Sequence, residues 1–450
     1  MIRKLIKNVH RAIKKSVSKK TKKNKPVPSV IIPRSEHGIS RKEISEHALK
    51  VLYRLHQNGF AAYLVGGAVR ELLLGKHPKD FDIATDAKPE QVKKLFRNCR
   101  IIGRRFRLAH VFFGDEIIEV ATFRAASEVV HVEHGMVMAD NVYGTQEDDA
   151  FRRDFTVNAL YYNIADFSVV DFMGGMQDIR KGVLRMIGEP AVRFREDPVR
   201  ILRAIRFCAK LQFELDQNLL EPIQSLKHLL HNVSSARLYQ ELTKLFFTSH
   251  ALDTYLLLKK QEMLGFLFPL TENSLAKEGY PTDKLIIQVL KDTDERLSQN
   301  KTATPAFLFA ALLWHSVSER AKILVQKGMR AHAALFDAQD DVLAEQLKVI
   351  AIPKMTQQTI KDIWTLQWRL EKAYQKNAFK VFTHLRFRAG LDFLIARNKI
   401  GEYTLLADFW QKFALASEQD RLKQVKALPK LLNKKQDNIY LKNLGLLNKK

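Results

Sequence analysis

The segment KHPKDFDIATD, residues 76–86, places two carboxylates two residues apart. Side chains two residues apart lie on the same face of a β-strand, so Asp80 and Asp82 are expected to project together, with Phe81 on the opposite face. Carboxylates so placed repel each other unless a cation lies between them, and oxygen ligands of this kind suit Mg²⁺. The alternative is a polar turn in which both acids are solvated, and the spacing by itself favours that alternative.

A glycine pair lies upstream of these acids, within the segment AAYLVGGAVRELLLGK. Its pattern predicts a strand, a turn at Gly66 and Gly67, and a helix that ends before Gly75. Glycines let a backbone approach a ligand closely, and a helix N-terminus offers free N–H groups to a phosphate. Arg70 could add charge-assisted bonds to the same oxygens. The signal is weak by itself, because glycine turns between a strand and a helix are common.

A third acid, Glu119, lies in the β-rich segment EIIEVATFR between Ile118 and Val120. These flanks indicate a strand beside the core, where an unpaired charge is costly. A solvent-facing position on that strand is the alternative. Taken together, the glycine turn, the two aspartates and this glutamate form the arrangement expected for two-metal phosphoryl transfer.

Composition supports a polyanionic partner. The chain has 450 residues, a formal net charge of +25 and an apolar fraction of 46%. The charge indicates nucleic acid, with an anionic membrane surface as the alternative. The first 26 residues contain no acidic residue, which favours a nucleic-acid-binding arm over a transit peptide. The chain lacks a run of about 20 apolar residues and has two cysteines, so we expect a soluble protein in the reducing cytoplasm.

The order of the predicted elements indicates an α/β head followed by a helical remainder. The segment at residues 40–60 reads as one helix, with Ser40 as the N-cap, Glu43 at the capping-box spacing and Gly59 as the stop signal. Short β-rich segments then alternate with helices as far as about residue 165. From about residue 196 helical patterns dominate, and we predict no strand beyond about residue 190.

Four segments in order carry a resemblance to a known family. LVGGAVRELLLGKHPKDFDIAT resembles the head motif of the nucleotidyltransferase superfamily that includes DNA polymerase β. RRDFTVNALYYN, DFMGGMQDIRKGVLRMIG and REDPVRILRAIRFCAKLQFEL resemble the successive motifs of one branch, the bacterial tRNA nucleotidyltransferases and poly(A) polymerases. The resemblance reverses the preference for a solvated turn at the two aspartates.

The resemblance implies a role for each matching position. Asp80 and Asp82 would be the catalytic pair that binds Mg²⁺, with Glu119 as a possible supporting acid. Asp154 would join the active-site acids and orient the ribose hydroxyls of ATP; a helix N-cap is its structural alternative. GGMQD would be a hinge loop. Contacts with the nucleotide are predicted for Gly66, Gly67, Arg70, Arg152, Arg153, Asn158, Asp197, Arg200, Arg203 and Arg206.

The segment REDPVRILRAIRF allows two interpretations. Pro198 suits the first position of a helix, with Asp197 as its cap. The resemblance instead implies that Asp197 and Arg200 bond the Watson–Crick edge of the incoming base, and both interpretations are compatible. The alternative for Arg203 and Arg206 is a structural role as ion-pair partners. Ile201, Ile205 and Cys208 are expected on the buried face of this helix.

Within the branch, the segment RIIGRRFRLAHVFFGDEIIEVATFR resembles poly(A) polymerases rather than tRNA nucleotidyltransferases. The implied activity is template-independent transfer of AMP from ATP to RNA 3′ ends, which promotes mRNA turnover. The alternatives are a CCA-adding enzyme, a non-catalytic basic RNA-binding protein and a peripheral membrane protein. The histidines of HVEH, His131 and His134, lack further ligands nearby, which argues against zinc.

The predicted fold class is therefore α+β, a small mixed-sheet nucleotidyltransferase head followed by an all-α neck and body. The predicted divisions are a basic arm and linker at 1–38, the head at 39–165, the neck at 166–250, an RNA-binding body at 251–430 and a basic tail at 431–450.

Overall fold

The computed structural model describes residues 29–103, 107–125, 132–133, 136–137, 143–277, 281–372, 376–402 and 404–432. The chain divides into two compact units, Met1–Gly188 and Glu189–Lys450. Four predicted features lie outside the described residues, namely most of the basic arm, the GRRF residues 104–106, the HVEH histidines and nearly all of the basic tail. The finer division into neck and body stays a prediction.

An eight-stranded mixed sheet organises the first unit. Its strands are β1 (Val30–Ile32), β2 (Ala62–Val65), β3 (Asp82–Thr85), β4 (Cys99–Ile102), β5 (Leu108–Phe113), β6 (Glu116–Thr122), β9 (Leu160–Asn163) and β10 (Val169–Asp171), in the order β1-β10-β9-β2-β3-β6-β5-β4. Strands β3 and β6 pair in parallel, whereas the other neighbours are antiparallel. The predicted mixed sheet is confirmed, and it includes a strand beyond residue 165.

Helices and short strands connect this sheet. The helices are α1 (Glu46–Gln57), α2 (Gly67–Leu73), α3 (Pro89–Leu95), α4 (Gln146–Arg152) and α5 (Gly175–Lys181), and the short strands are β7 (Val132–Glu133), β8 (Met136–Val137) and β11 (Val183–Leu184). Strand β2, the glycine turn and α2 follow the predicted order. The predicted start of the first helix is wrong, because Ser45 caps α1 and Ser40 caps only a short 3₁₀ turn before it.

The two faces of the sheet are covered differently. Helices α1 and α3 pack on one face, where side chains of β3, β5 and β6 such as Ile83, Val111 and Ile118 are fully buried. On the opposite face, Val65 and Tyr161 from β2 and β9 belong to a core cluster, whereas the side chains of β4 to β6 are largely exposed or half-buried. Strand β3 therefore lies where the covered and open parts of this second face meet.

The predicted hinge loop GGMQD is instead the start of a helix. Four backbone N–H groups, those of residues 173–176, donate to the buried carboxylate of Asp171 and fix the first turn of α5. A Cβ on Gly175 would lie 2.2 Å from the carbonyl oxygen of Thr156. The side chain of Thr156 donates to Asp178, which also accepts from Arg185. These bonds make the segment the start of a helix and not a loop, and the role of a hinge stays a prediction.

The second unit is helical. Its helices are α6 (Pro190–Glu196), α7 (Val199–Leu211), α8 (Gln217–Leu226), α9 (Ser235–Phe246), α10 (Ala251–Lys260), α11 (Leu264–Leu267), α12 (Pro269–Leu275), α13 (Thr282–Ser298), α14 (Pro305–Gln326), α15 (Ala331–Leu347), α16 (Lys354–Lys372), α17 (Lys376–Phe382), α18 (Phe387–Lys399), α19 (Thr404–Leu415) and α20 (Glu418–Leu432). A two-residue strand, β12 (Glu214–Leu215), is the exception to the predicted absence of strands. Among the described residues, none of these helices is apolar over a length that would cross a bilayer.

Gly175→Ala is expected to destabilise the first unit by about 1–3 kcal/mol, because the added methyl group overlaps the backbone of Thr156 and forces a shift in a well-packed region. Urea denaturation of the whole chain measures this loss. Gly38→Ala is the matched control, since a Cβ there meets nothing within 4 Å. Equal stability of both variants would contradict the close approach.

Candidate active site

The two aspartates of KDFD project together at the start of β3. The side chains of Asp80 and Asp82 are exposed, and Phe81 between them is buried. This is the alternation expected from the strand pattern, although the strand itself begins at Asp82. The two carboxylates therefore share one face of the sheet.

Parallel pairing brings the third acid beside them. Glu119 on β6 is directly in register with Asp82 on β3, so the two side chains lie on the same face. Its neighbours Ile118 and Val120 are buried on the other face, while Glu119 itself is exposed. Both interpretations of the segment thus hold, because the strand borders the core and its glutamate faces the open side.

The electrostatics of the cluster act on Asp82. The pKa of Asp82 is raised to about 6, mainly by burial among surrounding protein atoms and also by the negative charges of Glu119 and Asp80. The positive charge of Arg153 acts in the opposite direction. Part of the Asp82 side chain remains open to solvent. The site therefore concentrates negative charge that a bound cation would stabilise.

The glycine turn brings the backbone close to the same place. Gly66 has φ 69° and ψ −128°, a conformation that glycine adopts without strain. A Cβ at Gly66 would lie 3.3 Å from Nη1 of Arg153. Gly67 is the first residue of α2, so its backbone N–H lies at the N-terminal end of that helix. Because neither glycine has a side chain, the backbone of the turn between β2 and α2 is not covered by its own residues.

Arg70 is held inside the protein. Its side chain is 3% exposed, and burial lowers its pKa while Glu71 and Asp154 act in the opposite direction. Its Nη1 donates to Oδ1 of Asn158, and its Nη2 lies 3.2 Å from Oε1 of Glu71. Arg70 therefore orients Asn158.

Asn158 carries this network on to Asp154. Its Nδ2 donates to Oδ1 of Asp154 at 3.0 Å, and the same oxygen accepts from the backbone N–H of Phe155 at 2.8 Å. The 3₁₀ turn that follows, Thr156–Asn158, has Phe155 at its N-cap position. Asp154 is thus not the cap of that turn, and its orientation is fixed from both sides.

A second buried network surrounds Arg153. It donates to Oδ2 of Asp149 at 3.1 Å, to the hydroxyl of Tyr161 at 3.1 Å and to the backbone carbonyl of Asn158 at 3.0 Å. Tyr161 in turn donates to Asp149 at 2.8 Å. Arg152 is half-buried at the end of α4. Arg153 therefore links α4, β9 and the turn that carries Asn158.

The remaining predicted residues lie in the second unit. Asp197 follows the end of α6, and the N-cap position of α7 is Pro198, one residue later than predicted. Oδ1 of Asp197 still accepts from the N–H of Val199 at 3.3 Å, and its Oδ2 accepts from Arg237 at 2.7 Å. Arg200 donates to Glu196 at 2.8 Å.

Arg200, Arg203 and Arg206 form a half-buried stripe on α7. The guanidinium groups of Arg203 and Arg206 lie 5.7 and 4.7 Å from the ring centre of Phe207. The predicted opposite face is confirmed, because the side chains of Ile201, Ile205 and Cys208 are buried.

Three side chains near the acids escaped the sequence analysis. His110 on β5 is in register with Glu119, with 3.4 Å between its Nε2 and Oε1 of the glutamate. Asp149 and Tyr161 complete the Arg153 network. His110 is the only polar residue in the strand LAHVFF, and that is the signal that the sequence carries for it.

The described residues contain no group of three or more His, Cys, Asp and Glu side chains placed to hold a metal ion by themselves. The pair of aspartates nevertheless fits one class of ion. Mg²⁺ is commonly bound by one or two carboxylates together with substrate phosphates, rather than by a cage of protein ligands.

Asp82→Asn is expected to stabilise the fold in divalent-free buffer. The pKa of Asp82 lies above the unfolded value of 3.8, so its ionised form costs stability above about pH 6 and the cost vanishes towards pH 4. Solvent screening of the open side chain reduces the gain to about 1 kcal/mol. Urea denaturation at pH 4 and pH 8 measures it. Asp115→Asn, in the exposed turn before β6, is the control, and an equal gain there would contradict the raised pKa of Asp82.

Comparison with protein-family models identifies three matching regions. The Poly A polymerase head domain matches residues 62–185. The probable RNA and SrmB-binding site of polymerase A matches residues 212–275, and the polymerase A arginine-rich C-terminus matches residues 327–439. The matched regions follow one another over most of the chain.

Individual proteins agree with these matches. Poly(A) polymerase I of Escherichia coli O6:H1 is 47% identical over 404 residues, 87% of each chain. Poly(A) polymerase I of Haemophilus influenzae is 41% identical and covers 95% of this chain and 97% of its own. CCA-adding enzymes match at 36–40% identity but over only 44–56% of this chain.

The fold has a counterpart among solved structures. The Bacillus stearothermophilus CCA-adding enzyme, solved in complex with CTP, has a TM-score of 0.58 and 25% identity, and the match covers 85% of this chain and 82% of the other. The superfamily predicted from the four motifs is thus confirmed, and the sequence similarity favours the polymerase branch over the CCA-adding branch. The chain belongs to the poly(A) polymerase family.

Proposed function

We propose that this protein transfers AMP from ATP to the 3′-hydroxyl end of RNA without a template and releases pyrophosphate. The observation that carries the proposal is identity of 41–47% to poly(A) polymerases over 87–95% of the chain, with Asp80 and Asp82 inside the matched head domain. The oxygen of the RNA 3′-hydroxyl attacks the α-phosphorus of ATP and loses its proton. The bond from the α-phosphorus to the oxygen bridging to the β-phosphate breaks, and a new phosphodiester bond forms.

Asp80 and Asp82 are proposed to hold Mg²⁺ together with the phosphates of ATP. Bound ions of this kind activate the attacking hydroxyl and neutralise the charge of the leaving pyrophosphate. The family uses divalent metal and ATP in general, and Mg²⁺ is favoured because the donors are hard carboxylate oxygens that leave ligand positions for phosphates. Glu119, in register with Asp82, supports the orientation of the pair.

The nucleotide is proposed to bind between the glycine turn and the Asp154 network. The uncovered backbone at Gly66 and Gly67 admits the triphosphate. Arg70 and Arg153 contribute positive charge beside it and hold Asn158, while Asp154 faces the ribose hydroxyls. Arg152, at the end of α4, is a further candidate contact with the phosphates.

The helical unit is proposed to recognise the base and the RNA. Asp197 and Arg200 bond the base edge, and Arg203 and Arg206 extend a basic stripe along α7. Residues 166–250 serve as the neck and 251–430 as the RNA-binding body, with the basic termini, 1–38 and 431–450, as further contacts to phosphates. The polyanion that matches the net charge of +25 is RNA rather than a membrane surface, and the reaction takes place in the cytoplasm.

Primer extension on a generic RNA with Mg²⁺ tests the reaction. With ATP alone we expect long heterogeneous tails, and Asp80→Ala is expected to lower the rate at least about 10³-fold because it removes a cation ligand of the reacting centre. Asp86→Ala, an exposed aspartate at the far end of the same strand, is the control.

Two outcomes would contradict the proposal. Addition of C, C and A to a trimmed tRNA, with no extension of the generic RNA, would assign the chain to tRNA repair. Equal activity of the Asp80→Ala protein would reject the metal-binding role of the pair.

Asp154→Ala is expected to reduce discrimination between ATP and dATP about 10- to 100-fold. A site built to bond a hydroxyl group rejects the analogue that lacks it, and this preference is lost with the carboxylate. The ratio of kcat/KM for the two nucleotides measures the change. An unchanged ratio, with both rates lowered equally, would make Asp154 a structural residue only, and Asp148→Ala on α4 controls for loss of a nearby acid.

A further inference from the structure

The open part of the sheet carries a row of polar side chains that begins at the proposed active site. Register places Asp82 beside Glu119, Glu119 beside His110 and His110 beside Arg100, across strands β3, β6, β5 and β4. Side chains in register lie on one face, so the row runs from the catalytic acids to the edge of the sheet. Neighbouring strands are about 4.8 Å apart, which places His110 about 10 Å and Arg100 about 14 Å from Asp82.

Planar groups line the far end of this row. The guanidinium of Arg100 lies 5.5 Å from the ring centre of Phe112, and the rings of His110 and Phe112 are 6.3 Å apart. Arg100 is exposed and Phe112 half-buried. Two apolar side chains of the same face, Ile102 and Ile117, are 45% and 44% exposed.

The exposure of this region is not a general property of the sheet. The alternate residues of the same strands, Ala109, Val111 and Ile118, are fully buried under the helices of the other face. This open face combines an arginine over an aromatic ring, a tilted histidine ring and apolar borders. It suits a ligand with flat rings and a negatively charged backbone.

We propose that Arg100, His110 and Phe112 bind the 3′-terminal nucleotides of a single-stranded RNA substrate, with a base stacked on the Arg100–Phe112 pair. Unpaired bases stack on aromatic rings and on guanidinium planes in this way. The row is continuous with the catalytic acids, so an RNA whose 3′-hydroxyl lies at Asp82 extends along it. The inference rests on the proposed function, because it assigns the acceptor strand of that reaction.

The charges at the two ends of this row support the proposed direction of the RNA strand, with its 3′ end at the acids. Arg100 and Arg97 are exposed at the outer end, on and before β4, whereas Glu119 lies at the inner end beside the reacting groups. Phosphates of the RNA therefore meet positive charge away from the acids.

Steady-state kinetics on an oligo(A) primer and anisotropy with the same RNA carrying a 3′-deoxy end test the proposal on the full chain. Arg100→Ala and Phe112→Ala are each expected to raise the KM and Kd for RNA about 5- to 150-fold, the range for loss of one stacked base, and to leave the KM for ATP unchanged. Arg100→Lys keeps the charge but not the plane, so it is expected to recover only a small part of the loss.

Arg54→Ala is the matched control, because Arg54 makes the same kind of stack, 5.2 Å from the ring centre of Phe96, on the helix-covered side of the sheet. Unchanged RNA affinity in both Arg100→Ala and Phe112→Ala would overturn the assignment and leave this face to another partner. Full recovery by Arg100→Lys would overturn the stacked base. Failure of the wild-type protein to extend any RNA would instead overturn the proposed function, while the anisotropy result would still decide the RNA surface.

Discussion

The head of this protein depends on holding carboxylates side by side against their mutual repulsion. The parallel pairing of β3 with β6 sets Asp82 directly beside Glu119, and Asp80 adds a third negative charge at the start of the same strand. Burial and the neighbouring carboxylates together raise the pKa of Asp82, so its ionised form is costly in the absence of a cation. Such a site favours the binding of a cation at the expense of the stability of the fold, as is common at catalytic sites.

The strands around the carboxylates hold them rigidly in this arrangement. A parallel pair needs a long connection, and here the chain passes through α3, β4 and β5 before it returns as β6. The strands on both sides are antiparallel and buried on their shared face, which fixes the register. Two acids brought together from distant parts of the sequence therefore keep a defined separation.

The arginines near the site have a structural role that their sequence motif does not reveal. Arg70 reaches Asn158, and Arg153 reaches Asp149 and Tyr161, so both guanidinium groups hold other residues in place. Removing a buried charged partner leaves the others unsatisfied, which is costly in a low-dielectric interior. Loss of either arginine is thus expected to disturb nucleotide positioning and local folding together.

The sequence by itself determined the family, the mixed sheet with a helical remainder, and the shared face of Asp80 and Asp82, because these follow from motif order and from local periodicity. It misplaced the start of α1 by taking Ser40 as the cap where Ser45 caps the helix, and it read the helix start at Gly175 as part of a loop, since glycine allows both. Only the tertiary structure decided that Glu119 lies beside Asp82, that His110 and Arg100 continue the row, and that Arg70 points inward. Strand register and burial arise from contacts between residues far apart in the chain, and local patterns carry no record of them.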